Sequence, residues 1–370
     1  MEEQISKQKV MFLCATSKMV LHFRKDLIKA FQNNLCEVSV VAFDDKYQKE
    51  IESLGVDFYC AKDNNRSLSV LKFITLESKY KRIIKKVNPD IVFTFMLKPN
   101  IFGASAAKKT KVKRIFCMVE GAGHGFTHKS FKWKLVRYIS CIMYKRAFKK
   151  ADGVFFLNEE DKQEFIERKL VKEEKSIVVH GIGVNTEHFS FSPVKFYNSF
   201  LMVARLTESK GVKIYCKAAR EIKKKYPDAR FGYLGQEGSL DFSEIQEYID
   251  DKSLNYYGET DDVRKYLDDC SVFVLPSYYR EGLPMSIMEA MSKVRAIITT
   301  DNFGCRDTVK DGYNGFLVLI KNVDALVDKM EYFLLNPEKV SEMGVNARTY
   351  VLEKFEQSII NDKIIKCVLQ

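Results

Sequence analysis

Val272-Phe273-Val274-Leu275-Pro276-Ser277, followed by Arg280-Glu281-Gly282-Leu283-Pro284-Met285-Ser286-Ile287-Met288-Glu289-Ala290-Met291, is the stretch that decides how this chain folds. Its apolar run, closed by Pro-Ser, reads as a buried strand. Gly282 marks a turn, and Pro284 stands where a helix tolerates proline, near its first turn. Strand, loop and helix in direct succession form the repeating unit of a parallel sheet. Glu281 and Glu289 are eight residues apart. One lands on the loop and the other about two turns into the helix, on nearly the same face. Such a pair can hold a polyhydroxylated ligand at two points, and the free N–H groups of the helix start suit a phosphate. A capping acid and a solvated helix face would give the same two residues.

The same alternation extends outward in both directions. Strand-like runs at Val10–Cys14, Glu37–Ala42, Ile91–Thr94, Arg114–Met118, Gly153–Leu157 and Ile177–Val179 are separated by helical stretches such as Val20–Gln32 and Leu68–Val87. A second series follows: Ser199–Ala204, Phe231–Leu234, Asn255–Tyr257, Val272–Leu275 and Ala296–Thr299. Alternating strands and helices with short links predict an α/β protein of two parallel sheets, each covered by helices on both faces. The join is expected near Phe189–Tyr197, giving domains 1–190 and 191–352. Ligands of such sheets bind beyond the carboxyl ends of the strands, so the loops that follow strands carry the candidate chemistry.

Composition agrees. The 370 residues are 46% hydrophobic and 29% charged, which suits about two globular domains. Nine scattered cysteines contain no C-x-x-C, arguing against a disulfide framework or zinc site and for a reducing cytoplasm. The start, Met1-Glu2-Glu3-Gln4, lacks signal-peptide form, and no apolar run reaches the roughly 18 residues of a membrane span. Residues 108–150 carry a net charge of +12 against +11 for the whole chain, so the basic character belongs to one segment.

A second constellation, Val203-Ala204-Arg205-Leu206-Thr207-Glu208-Ser209-Lys210-Gly211, follows the first strand of the second half. Arg205 and Lys210 at a strand-to-helix loop can neutralise a leaving diphosphate. Two solvated surface cations are the plain alternative. With Gly258-Glu259-Thr260-Asp261-Asp262-Val263, the Glu281 to Met291 stretch, and Asp311-Gly312-Tyr313-Asn314-Gly315-Phe316-Leu317-Val318, this segment resembles, in order and spacing, the donor half of a retaining GT4-family glycosyltransferase. The resemblance implies a GT-B fold, two Rossmann-like domains facing a central cleft, a nucleotide-sugar donor, and no cofactor or metal. Residues 353–370 would form a helix packing back on the N-terminal, acceptor-binding domain.

Carried over residue by residue, Arg205 and Lys210 would bind the donor diphosphate. Glu281 would contact the transferred sugar and Glu289 the ribose. The N–H groups from Gly282 through Leu283, Pro284 and Met285 to Ser286 would face phosphate and sugar. The backbone at Tyr257 and Gly258 would meet the base. In the first half, Ser17-x4-His22-Phe23-Arg24 resembles one GT4 subgroup, and the small residues Ala15, Thr16 and Ser17 would let the donor approach. Val119-Glu120-Gly121-Ala122-Gly123-His124 resembles enzymes that extend polyprenyl-diphosphate-linked sugars. Glu120 stands where many relatives have histidine. Glu120, Gly121, Gly123 and His124 are therefore acceptor-side candidates, His124 being equally readable as a plain loop histidine.

Lys132, Trp133, Lys134 and Arg137 surround an apolar face formed at helical spacing by Leu135, Ile139, Ile142 and Met143. Basic and aromatic residues around an apolar stripe suit an anionic membrane surface, although a core-packing helix with a solvated basic face has the same pattern. No recognition motif for nucleic acid accompanies it. The expectation is a cytoplasmic enzyme, peripheral on the inner face of the cell membrane. It would move an N-acetylhexosamine from a UDP-sugar to a lipid-linked saccharide or surface glycan such as lipopolysaccharide or capsule. Three alternatives stand beside it: a sugar-nucleotide 2-epimerase of similar fold, a non-catalytic nucleotide-sugar-binding partner, and a basic RNA-binding scaffold.

Overall fold

The computed structural model describes residues 7–63, 70–121 and 131–370, excluding the side chains of 70–74 and 131–133. Its described residues form two compact units. One runs up to Ile182 and takes back Ile360–Gln370; the other is Gly183–Ile359. The division falls ahead of 190 because the chain has already joined the second unit there. Val184 N–H donates to the Phe355 carbonyl at 2.9 Å, and a Cβ on Gly183 would lie 2.6 Å from the Gln357 backbone.

The first unit holds strands β1 (Lys9–Leu13), β2 (Glu37–Ala42), β3 (Asp57–Cys60), β4 (Ile91–Phe95), β5 (Arg114–Val119), β6 (Gly153–Phe156) and β7 (Ser176–Val178). They lie in the order β3-β2-β1-β4-β5-β6-β7, every pair parallel. Alternation along each strand divides the core. Met11, Leu13, Val92, Ile115 and Val154 pack on one face; Val10, Phe12, Phe93, Phe116 and Phe155 pack on the other. Each such buried aromatic or aliphatic side chain contributes about 1.5–3 kcal/mol. The last helix, Gln357–Leu369, sends Ile360, Ile364, Ile365 and Val368 into the second of these faces.

The second unit holds β8 (Ser199–Val203), β9 (Arg230–Leu234), β10 (Asn255–Tyr256), β11 (Val272–Leu275), β12 (Ala296–Thr300) and β13 (Gly315–Val318). Their order is β10-β9-β8-β11-β12-β13, again parallel throughout. The topology reverses between β8 and β11, whose carboxyl ends lead into the Arg205–Gly211 and Pro276–Pro284 loops.

Two features differ from the sequence expectation. β3 and β13 are short edge strands whose apolar runs are too brief to stand out. The helix expected over Val20–Gln32 is two helices, Ser17–Phe23 and Lys25–Asn33, broken at Arg24 (φ −125°, ψ −9°). The break turns the Arg24 side chain inward, leaving it 3% exposed. Among the described residues, no helix is long and apolar enough to cross a membrane.

Candidate functional site

In the second unit, the loops after β8 and β11 are tied together. The N–H groups of Tyr278 and Tyr279 donate to the Ser209 carbonyl at 2.8 and 2.9 Å. Gly211 has φ +80°, and a Cβ there would stand 2.1 Å from the Pro276 carbonyl oxygen, so both conformation and space require glycine. This contact sets Lys210 against the β11 loop. Its Nζ reaches Glu281 Oε1 at 2.5 Å, and the Ser277 hydroxyl donates to the same oxygen at 2.8 Å. Glu281 is 7% exposed. Its backbone is backed by Gly304 (φ +71°), where a Cβ would meet the Glu281 carbonyl at 2.6 Å. Asn302 Nδ2 fixes the turn by donating to the Tyr279 carbonyl at 2.7 Å.

Lys210 and Glu281, each singled out in the sequence for a separate role, lie in direct contact. Arg205 is exposed on the same loop, and its guanidinium makes no ion pair or hydrogen bond among the described residues. A diphosphate placed here meets one exposed cation and one cation already anchored to an anion.

The helix Met285–Ser292 starts after Pro284, which supplies no side-chain cap. Met285 and Ser286 open the helix, so their N–H groups have no intrahelical acceptor. Proline has no N–H, so Pro284 can shape this donor row but not join it. Leu283 is buried in the core and also serves only through its backbone. Glu289, further along the helix, makes no hydrogen bond or ion pair among the described residues. Burial pushes its carboxyl up from 4.5 to about 7. An uncompensated carboxyl beside a helix start is placed to receive hydroxyl donors.

At Tyr257 the ring packs on its own neighbours. It lies against Gly232 and packs on Tyr266 with ring centres 4.9 Å apart, leaving the residue 44% exposed. Gly258 has φ +76° and open space around its missing Cβ, while its carbonyl accepts from the Gly235 N–H at 2.9 Å.

In the first unit, Ser17 is engaged in the strand–helix turn itself. Its hydroxyl donates to Asp44 Oδ1 and accepts from the Tyr47 N–H at 3.3 Å, and its N–H donates to Asp44 Oδ2 at 3.2 Å. With no exposed surface, Ser17 holds the turn; it offers no free hydroxyl to a donor. Glu120 follows β5 and pairs with the buried Arg24 guanidinium. Gly121 adopts φ +124°, a conformation that favours glycine. Gly123 and His124 lie outside the described residues.

The helix Phe131–Phe148 buries Tyr144, Ala147 and Phe148. Leu135 and Ile139, in the stripe read as suiting a membrane surface or a packed core, are 53% and 46% exposed, and Tyr138 beside them is 65% exposed. Lys134 is exposed and Arg137 half-buried next to them; the side chains of Lys132 and Trp133 lie outside the described residues. A cavity of about 670 Å³ near the helix's end adds Lys145, Lys149 and Lys169 to this basic side. Sequence reasoning missed Ser277 and Arg24 as site residues. Ser277 was visible in the Pro276-Ser277 strand end, and Arg24 in the Phe23-Arg24 dipeptide, but their partners are distant in sequence.

Among the described residues, no group of His, Cys, Asp or Glu has the arrangement to hold a metal ion. The family model described as Glycosyl transferases group 1 matches residues 184–350, and that described as Glycosyl transferase 4-like matches residues 9–158. The chain is 29% identical, over 96% of both chains, to the Campylobacter jejuni N,N'-diacetylbacillosaminyl-diphospho-undecaprenol alpha-1,3-N-acetylgalactosaminyltransferase. It is 30% identical, over 81% of its own length and 80% of the relative's, to the Escherichia coli UDP-Gal:alpha-D-GlcNAc-diphosphoundecaprenol alpha-1,3-galactosyltransferase. A glycosyltransferase structure from Rickettsia africae superposes with a TM-score of 0.80 at 19% identity, covering 98% of each chain, which establishes likeness of fold.

Proposed function

The chain belongs to the group 1, GT4-like glycosyltransferases of GT-B fold, and from that premise we propose that it transfers an N-acetylhexosamine from a UDP-linked donor to a hydroxyl of a polyprenyl-diphosphate-linked saccharide, with retention of configuration and no metal. The Lys210–Glu281–Ser277 cluster at the topological reversal of the second sheet carries the reading. It places an anchored cation, an ionisable acceptor and a free helix start within one pair of loops. The acceptor class follows the two relatives, both named for diphospho-undecaprenol-linked sugars; the N-acetylhexosamine follows the first, an N-acetylgalactosaminyltransferase, and the UDP link the second, named for UDP-Gal.

As the glycosidic bond breaks, positive charge develops on the sugar ring and negative charge on the diphosphate. Lys210, Arg205 and the N–H groups of Met285 and Ser286 stabilise the diphosphate. Glu281, held by Lys210 and Ser277, accepts hydrogen bonds from the sugar hydroxyls. Glu289 takes the ribose. The acceptor hydroxyl attacks on the face the diphosphate leaves, and the leaving phosphate removes its proton. The exposed Leu135, Tyr138 and Ile139 with Lys134 and Arg137 rest on the anionic inner face of the cell membrane, where the acceptor lipid resides.

Glu281→Gln and Lys210→Ala test the assignment. Each lowers UDP-coupled transfer by about 10²–10³-fold, the range for removing one charge-stabilising group. Near-normal transfer by either folded variant refutes it.

A further inference from the structure

We propose that Arg24 is a positioning residue for the transfer. It holds the Glu120 carboxylate ionised and in one orientation, so that Glu120 accepts a hydrogen bond from a hydroxyl of the acceptor saccharide. The inference rests on the reading of Glu120 as an acceptor-side residue.

Arg24 is fixed from every side. Its backbone stands at the break between two helices, its N–H donating to the Val20 carbonyl at 2.9 Å and its carbonyl accepting from the Ile28 N–H at 2.8 Å. Its guanidinium lies 4.4 Å over the Phe95 ring at the end of β4, and Nη1 donates to the Phe23 carbonyl at 2.8 Å. The remaining edge, at Nη2, meets Glu120 Oε1. A cation this deeply buried costs several kilocalories per mole of lost hydration, which a ring face and one carbonyl do not offset. An anion is required, and Glu120 is that anion among the described residues.

Glu120 is equally constrained. It leaves β5 directly, and Gly121 turns the chain immediately after it. One carboxylate oxygen is committed to Arg24, while Oε2 has no partner among the described residues and the side chain keeps 16% exposure. An ionised carboxylate at the carboxyl end of a parallel strand attracts hydroxyl donors and repels phosphate. A saccharide hydroxyl fits it; the diphosphate of the same acceptor does not. Stability alone gives no reason for the pair, since two well-packed apolar side chains do as well or better. Arg24 does not itself reach the substrate; it acts through Glu120.

The test measures steady-state transfer by the full chain, with a UDP-sugar and a polyprenyl-diphosphate saccharide, for Arg24→Met, Glu120→Gln and the double variant. Each single change lowers kcat by about 10²-fold, the cost of a misplaced contact, and leaves the KM for the UDP-sugar within about twofold. The double variant is no slower than either single one. Its Tm lies above that of Glu120→Gln, which strands a buried cation. Arg24→Lys keeps the charge and recovers part of kcat. If Arg24→Met does not fold, Arg24→Lys with and without Glu120→Gln supplies the same comparison. Multiplied losses in the double variant, or a normal rate for folded Arg24→Met, overturn the role given to Arg24 alone. A wild-type chain that releases UDP to water yet glycosylates no acceptor overturns the acceptor reading beneath it.

Discussion

Replacing Glu289 by glutamine should stabilise the second unit while weakening its ligand site. The folded carboxyl is held at about 7 by burial, against an ordinary value of 4.5. Between these values the folded chain keeps a proton that the unfolded chain has lost. Stability from this group is therefore fully present below pH 4.5 and is lost as pH rises through 7. At about 1.4 kcal/mol per pH unit, the loss approaches a ceiling of about 3 kcal/mol above pH 7, lessened by the residual exposure of the side chain. Glutamine does not titrate and escapes this loss. Hydrogen exchange of the Met285–Ser292 amides, or urea unfolding of the intact chain, should show Glu289→Gln gaining on wild type by about 1–3 kcal/mol between pH 5 and pH 8. UDP binding should move the other way. Ribose hydroxyls donate best to the anion, so wild-type affinity rises with pH across 6–8 by more than that of the variant. A stability gap independent of pH would refute the argument that Glu289 is a strained, uncompensated carboxyl awaiting a ligand.

Other changes probe the frame around it. Ser277→Ala removes one of the bonds to Glu281 and should lower kcat about tenfold, a net hydrogen bond to a charged group, with folding intact by circular dichroism. Gly211→Ala forces a Cβ onto the Pro276 carbonyl at a positive φ and should cost at least 1–3 kcal/mol in urea titration. Unchanged stability would show that the two loops are not rigidly joined. Lys134→Glu with Arg137→Glu should reduce sedimentation with anionic vesicles by about 1 kcal/mol for each cation lost, and leave binding to neutral vesicles unaltered.

Much of the fold was legible because strand cores are written locally. Val-Phe-Val-Leu at 272–275 and its counterparts are buried on both faces, and runs of that kind separated by helices admit few architectures. That Lys210 and Glu281 would share one end of the second sheet was legible for a related reason: Lys210 follows β8, Glu281 follows β11, and those strands are neighbours. What stayed hidden depends on which side chains topology brings together. Ser17 looked like an open small residue until Asp44, beyond β2, claimed its hydroxyl. Arg24 stood out only as part of a Phe-Arg pattern; the helix break beneath it and its pairing with Glu120 depend on the fold. The Tyr257 ring packs on Tyr266, a contact that says nothing of the backbone role its position suggested. Leu135 and Ile139 keep helical spacing and are exposed; the spacing alone left open whether that stripe packs inward or stays uncovered.

The account turns on the site around Lys210 and Glu281 moving a sugar from UDP to a lipid-linked hydroxyl with its configuration kept. The most direct measurement incubates the chain with a panel of UDP-sugars and a polyprenyl-diphosphate saccharide, then determines product mass, UDP released and the anomeric configuration of the new linkage by NMR. The account predicts one N-acetylhexosamine added per UDP, in the donor's own α configuration, without added metal. A β linkage, or a donor converted to its epimer with no acceptor present, would contradict it.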